Sequence, residues 1–244
     1  MAWFETWFDT PYYHILYKDR DFAEAEKFIR LLVADLALPQ ESKIIDLACG
    51  KGRHSVFLNK LGYEVLGLDL SPQSITHNQQ FENDHLHFAV HDMRKPIYPD
   101  VTSEKQDAVF NLFTSFGYFE DQADDRSVFS SISEVLKSGG YFVLDYLNAE
   151  WVRNTLVPIE KVQKEHINFS LHKKIEDNFV IKDIRFEDEG KPYHFYEKVK
   201  LHAPETIQRY AEDAGFSFEK AYGDYELREF SSSSPRCIMV FRKN

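Results

Sequence analysis

The stretch KIIDLACGKGRHSVFLNKLGYEVLGLD, residues 43–69, parses as strand, glycine turn, helix and strand. The run Lys43-Ile44-Ile45-Asp46-Leu47-Ala48 is short and β-branched, the texture of a strand buried on both faces of a parallel sheet. Cys49-Gly50-Lys51-Gly52 breaks it, and the two glycines permit positive φ and a close approach of ligand to backbone. A helix starts near Arg53 with Val56, Phe57 and Leu61 on one side, and Gly62 ends it as a C-cap glycine. A second strand, Tyr63 to Leu70, closes on Asp69.

Backbone N–H groups at a helix N-terminus beside a glycine turn favour a polar or anionic ligand. An acid at the tip of the next strand can take both hydroxyls of a ribose. The unit therefore calls for a nucleoside-containing cofactor at the carboxyl ends of parallel strands. A dinucleotide fingerprint needs GxGxxG, and Gly50-Lys51-Gly52-Arg53-His54-Ser55 puts serine in the third glycine place. The other pattern, an acid in the first strand, a glycine turn and an acid closing the second strand, is met by Asp46, Gly50, Gly52 and Asp69. DLACGKGRHS followed by GLDLS resembles motifs I and II of the class I S-adenosylmethionine-dependent methyltransferases, in particular the small-molecule branch with a CGxGRH turn. The resemblance implies a Rossmann-like, doubly wound α/β fold with seven strands, the last antiparallel. It assigns Asp46, Ala48, Gly50, Gly52, Asp69 and Leu70 to S-adenosylmethionine. Ala48 stands where the family often has glycine.

Composition narrows the partners. The 244 residues suit one domain over 1–244 with an embedded subdomain, and 43% hydrophobic residues can fill a substantial core. A net charge of −11 disfavours a nucleic-acid partner, which needs a basic face. Cys49 and Cys237 have no metal spacing and suggest no disulfide scaffold, so a reducing cytoplasm is expected. No signal peptide and no apolar run near 18 residues is visible, so no membrane span is expected.

Residues 1–38 open with Trp3, Phe4, Trp7, Phe8, Tyr12, Tyr13 and Tyr17, too aromatic to stay in water. The segment reads as a packed cap or as a lid over the site. The resemblance favours the lid, with Tyr17 covering the methionine part of the cofactor and Tyr13 and His14 facing substrate. Ala25, Phe28, Ile29, Leu32 and Leu36 then repeat at helical spacing, with Asp21 and Glu24 as a capping box. Ser71-Pro72 caps a further helix that reaches Phe81. Leu86 to Met93 reads as a third strand ending on an acid, and the resemblance places Asp92 and Met93 at the adenine ring. His85, His87 and His91 lack a clear fourth ligand and are read as non-ligands.

Gln106 to Phe119 holds the fourth strand and the loop after it. By resemblance, backbone near Asn111 and Leu112 receives the methionine ammonium, and Ser115, Phe116 and Tyr118 border the methyl group. The Asn/Asp-Pro-Pro-Tyr signature of amino-methylating nucleic-acid enzymes is missing there. Ser127 to Lys137 reads as a helix, Gly139-Gly140 as a turn, and Tyr141 to Tyr146 as the fifth strand, with Asp145 at its end as a base, a substrate acceptor or a solvated terminus. Residues 157–202 alternate as a three-stranded antiparallel β insert, which related enzymes carry over the substrate pocket. Thr206 to Ala214 is the last helix, Phe216 to Tyr222 and Arg236 to Arg242 a final strand pair, and Phe230 to Pro235 a mobile loop. Arg236 is a candidate for an anionic substrate.

The sequence thus favours methyl transfer from S-adenosylmethionine to a small-molecule oxygen or nitrogen, by a monomer or homodimer without a metal. Tyr118, Asp145 and His14 are the catalytic candidates. An NAD(P)-dependent oxidoreductase and a non-catalytic S-adenosylmethionine-binding protein are the alternatives.

Overall fold

The computed structural model describes residues 2–18 and 22–244. The capping role read for Asp21 lies outside the described residues. Seven strands form one sheet in the order β10-β11-β5-β4-β1-β2-β3. The central ones are β1 (Lys43–Leu47), β2 (Glu64–Asp69), β3 (Leu86–Val90), β4 (Gln106–Asn111) and β5 (Leu136–Leu147). These five are mutually parallel, with Ile44 opposite both Val65 and Ala108. β11 (Arg236–Lys243) runs antiparallel to β5, and β10 (Phe216–Tyr222) antiparallel to β11.

Period-two alternation gives the sheet two apolar faces. Ile44, Ala108, Phe110, Val143 and Val240 share a core with α3 (Phe22–Asp35), α4 (Arg53–Lys60) and α5 (Pro72–Asn78). Ile45, Val109, Phe142, Leu144 and Phe241 share the other with α6 (Gln122–Val135) and α8 (Pro204–Asp213). The α3 stripe of Ala25, Phe28, Ile29, Leu32 and Leu36 is buried as its spacing predicts. The Ser71 hydroxyl caps α5 by accepting the Ser74 N–H at 3.0 Å.

Several boundaries differ from the sequence reading, each for a local reason. α4 turns His54, Ser55 and Leu58 fully inward, whereas Val56, Phe57 and Leu61 pack only partly. α6 starts at Gln122 because the Asp121 carboxylate accepts the Ala123 N–H at 2.9 Å. Lys137 to Gly140 is an irregularity inside β5: Gln106 pairs with Leu136, and the next partner pair is Ala108 with Tyr141. The third strand stops at Val90, so Asp92 sits in the loop beyond it. The loop read as mobile at 230–235 is tied down, since Asn148 Nδ2 donates to the carbonyls of Ser231, Ser232 and Ser234 at 3.2, 3.0 and 2.8 Å.

After α7 (Ala149–Thr155) comes a second sheet of four strands, not three: β6 (Ile159–Lys164), β7 (Ile167–Glu176), β8 (Phe179–Asp188) and β9 (Lys191–Lys200), all antiparallel. The short N-terminal helices α1 (Trp3–Trp7) and α2 (Pro11–Leu16) pack on this sheet. Trp7 and Leu16 share a third core with Ile167, Phe169, Leu171, Ile184 and Phe186. Lid and insert therefore form a cap with its own apolar interior. Among the described residues no helix is long and apolar enough to cross a membrane.

Candidate active site

Between the carboxyl edge of the parallel strands and the cap lies a cavity of about 860 Å³, toward the upper end of the ~300–1,000 Å³ typical of ligand clefts. A second cleft of about 860 Å³ opens between α7, α8 and the β7–β8 turn; it reaches Asn148, just past the end of β5, but has no residue of the glycine turn in its wall.

The first cavity is built on the turn after β1. Gly50 has φ +54°, and a Cβ there would meet nothing within 4 Å, so the turn faces open space. Gly52 has φ +73° and packs so closely that a Cβ would lie 3.1 Å from Asn78 and Phe88. Ala48 takes φ 62° in the place where glycine was expected, carrying the strain of a side chain in the left-handed region. The N-cap of α4 is Gly52, which has no side chain to cap it, and Lys51, Arg53 and His54 at the start of the helix line the cavity.

Asp69 ends β2 at the cavity. Its Oδ2 accepts the Gly50 N–H and its Oδ1 the Ser71 N–H, each at 2.8 Å. Burial raises the Asp69 carboxyl above its ordinary value, and these N–H groups oppose the rise. The lid reaches the same turn, where the Ser71 hydroxyl donates to Asp9. Leu70, Asp92, Met93 and Leu112 complete this half of the lining with Ala48 and Gly50. Asp92 is gripped by Arg94 through Nε at 3.0 Å and Nη2 at 2.6 Å. Burial works against its charge, but Arg94 outweighs it and lowers the carboxyl. An adenine amine would share that carboxylate with Arg94.

The other half of the lining is aromatic. Trp3 lies 5.1 Å from Tyr118 and 5.4 Å from Phe8, and Phe8 lies 4.9 Å from Tyr13 (ring centroids). His14 and Tyr17 line it too, with Lys182 and Glu197 from the insert. Glu197 accepts from Trp7 Nε1 at 2.9 Å, Tyr17 Oη at 2.7 Å and Lys182 Nζ at 2.8 Å. Burial alone would raise its carboxyl, but the Lys182 ammonium and these hydrogen bonds hold it below the usual glutamate value. Tyr17 is thus part of the fastening between lid and insert as well as of the wall.

Five expected site residues stand behind the wall, not in it: Asp46, Gly52, Asn111, Asp145 and Phe116, which is buried in the main core. Asp46 is 1% exposed and accepts from the Ser55 hydroxyl. Asn111 Nδ2 donates to the Leu47 carbonyl at 3.0 Å, tying β4 to β1 beneath the turn. Asp145 is fully buried and does not serve as a free base. Its carboxylate accepts from Phe113 N at 2.8 Å, Tyr225 Oη at 3.1 Å, and Arg236 Nε and Nη2 at 2.8 and 2.6 Å. Arg236 commits Nε and Nη2 to that pair and to Thr114 Oγ1 at 2.7 Å, so the charge read as an anion receptor is already paired with Asp145 where the side chain lines the cavity. Glu197, Lys182 and Tyr225 escaped the sequence reading because their partners are far away in the chain.

Burial pushes the Asp46 carboxyl up to about 6, against the Ser55 hydrogen bonds. A carboxyl whose folded pKa exceeds the ordinary 3.8 binds its proton more tightly when folded. Its contribution to stability is full below about pH 4 and is lost as pH rises through 6. Thermal unfolding at pH 5 and 7.5 should show a steeper loss of Tm in the wild type than in Asp46→Asn. Comparing the two proteins cancels the other carboxylates, and parallel slopes would refute the assignment.

Comparison with known proteins agrees with this geometry. A family described as a methyltransferase domain matches residues 39–209, well over half the chain. The chain belongs to that methyltransferase family. It is 25% identical over 234 residues to the glycine/sarcosine N-methyltransferase of Aphanothece halophytica, covering 92% of this chain and 83% of that protein. It is 30% identical over 129 residues to the dTDP-3-amino-3,4,6-trideoxy-alpha-D-glucopyranose N,N-dimethyltransferase of Streptomyces venezuelae, covering 52% of each. In fold it is similar to an S-adenosylmethionine-dependent methyltransferase from Clostridium acetobutylicum, with TM-score 0.79, 18% identity and 96% of both chains covered. Among the described residues no group of three or more His, Cys, Asp or Glu side chains could hold a metal ion.

Proposed function

We propose that this enzyme moves the methyl group of S-adenosylmethionine to an amino nitrogen of a small molecule. The observation that carries the reading is the shape of one cavity, with the Gly50 turn and Asp69 at one end and the Trp3–Phe8–Tyr13–Tyr118 wall at the other. Asp69 suits the ribose hydroxyls, and Leu70, Asp92 and Met93 suit the base. Aromatic faces attract an onium group or an ammonium by their quadrupoles. Both relatives named above act, by their descriptions, on nitrogen.

The cofactor brings a methyl group already activated on sulfur, so the protein's task is proximity, orientation and exclusion of water. The Gly50 turn and Asp69 fix one reactant. The cap closes the other side and keeps water out. An amine attacks in its neutral form, so a strong base is unnecessary. His14 and Tyr118 line the cavity, and we assign to them the acceptance of the released proton. We also place the chain in the cytoplasm as a monomer or homodimer acting on free small molecules. Its two buried free cysteines and net charge of −11 support this.

The test is titration calorimetry with S-adenosylmethionine, S-adenosylhomocysteine and NAD, followed by methyl-labelled assays on paired panels of small amines and matched alcohols. Binding of both adenosyl ligands and labelled amine products are expected. Labelling of alcohols alone would overturn the acceptor, and binding of NAD alone would restore the oxidoreductase reading. Binding without turnover on either panel would favour a non-catalytic binding protein.

A further inference from the structure

Where β4 ends, the backbone does something costly. Phe113 has φ 63° and Thr114 φ 60°, two consecutive non-glycine residues in the left-handed region. Such strain persists only where the surroundings over-determine it, and it clusters at functional sites. Here the strain is held by one residue, Asp145, through its carboxylate and its carbonyl. Asp145 Oδ2 accepts the Phe113 N–H at 2.8 Å, and the Asp145 carbonyl accepts the Thr114 N–H at 3.0 Å. Arg236, forked onto Asp145 Oδ1, also donates to Thr114 Oγ1 at 2.7 Å. Tyr225 donates to Asp145 Oδ2 and stacks on the Phe113 ring at 5.1 Å and 16°. The Arg53 guanidinium lies 4.4 Å from the centre of the same ring. Phe113, Thr114, Tyr225 and Arg236 all line the cavity, while Asp145 lies behind them.

We propose that Asp145 is a positioning residue which, through Arg236 and Tyr225, holds the Phe113–Thr114 turn in the strained shape that forms the cavity wall between its glycine-turn half and its aromatic half. The proposal rests on the methyltransferase reading above. It replaces the two roles the sequence suggested, a base at Asp145 and an anion receptor at Arg236. The pair is an internal brace, and its charge is spent on backbone geometry. Burial disfavours the Arg236 charge, and Asp145 beside it more than restores it. A buried pair of this kind breaks badly when one partner is removed and tolerates removal of both. That asymmetry allows fold and site to be separated.

The experiment measures S-adenosylhomocysteine affinity by calorimetry and Tm on the same samples. Asp145→Asn should lose both, because Arg236 is left unpaired. The double variant Asp145→Asn/Arg236→Gln, with neutral amides facing each other, should recover most of the Tm. Its affinity should stay about tenfold below wild type, the scale of one lost charge-assisted hydrogen bond. Tyr225→Phe keeps the ring stack and removes one hydroxyl. It should bind about threefold more weakly with Tm almost unchanged. Arg236→Lys, which cannot fork, should fail to rescue affinity. A double variant and a Tyr225→Phe protein that bind as wild type would overturn the proposal and leave a merely structural ion pair. Wild-type protein that does not bind S-adenosylhomocysteine would overturn the cofactor reading, and this proposal with it.

Discussion

Asp69→Ala should lose S-adenosylmethionine binding by at least about 100-fold, or ~3 kcal/mol, the sum expected for two hydrogen bonds to a charged acceptor. The carboxylate does several jobs at once. It closes β2 at the cavity, anchors the glycine turn by accepting the Gly50 N–H, and shapes the entry to α5 by accepting the Ser71 N–H. Alanine removes the contact proposed for the ribose and frees the turn together. Asp69→Asn separates the two, since its amide oxygen can still accept one backbone N–H. It should fold with a Tm near wild type and still bind weakly by calorimetry. An alanine variant with wild-type affinity would remove Asp69 from the site.

The second large effect concerns the cap. Trp7 is 1% exposed and sits between the lid and the insert. Trp7→Ala should cost about 3–5 kcal/mol within the cap core, and it also removes the indole donor from Glu197. The loss should appear locally, as faster amide exchange and proteolysis of residues 2–18, before the main sheet unfolds. Cofactor retention should fall with it. Trp7→Phe keeps most of the packing and loses only the donor, so its cost should be nearer ~1 kcal/mol. Unchanged exchange in 2–18 after Trp7→Ala would mean that the lid is held elsewhere, by Phe4 in the main core or by the hydrogen bond between Ser71 and Asp9.

The organising unit was legible because its signals are local. Apolar runs at 43–47 and 64–69, two glycines and an acid at the strand end all lie within one βαβ unit. The third and fourth strands follow from the same texture. What escaped depends on distance or exposure. Asp145 looked like a base because its partner Arg236 lies 91 positions away. The insert's extra strand, Ile159–Lys164, is mostly exposed and carries charges, so it lacks the alternation that marks a strand. Gly139-Gly140 reads as a turn because glycines usually make one, yet β5 runs through it, with Leu136 paired to Gln106 before it and Tyr141 to Ala108 after it. The Phe113–Thr114 turn has no glycine to announce it.

The cap core has a consequence for synthesis. Trp7 and Leu16 are made early, but their partners begin at Ile167 and end at Phe186. At ~5–20 residues per second, the lid waits roughly ten to thirty seconds on the ribosome without its docking surface. Trp7 lacks its partners for that time, whereas Phe4 can already dock in the main core, and the central parallel strands are complete before the cap can form. Contacts of such long sequence separation close slowly. A chaperone that shields aromatic segments would protect the nascent lid over that interval. Crowded expression without one should divert chains at this stage, before the cap has sealed the cavity.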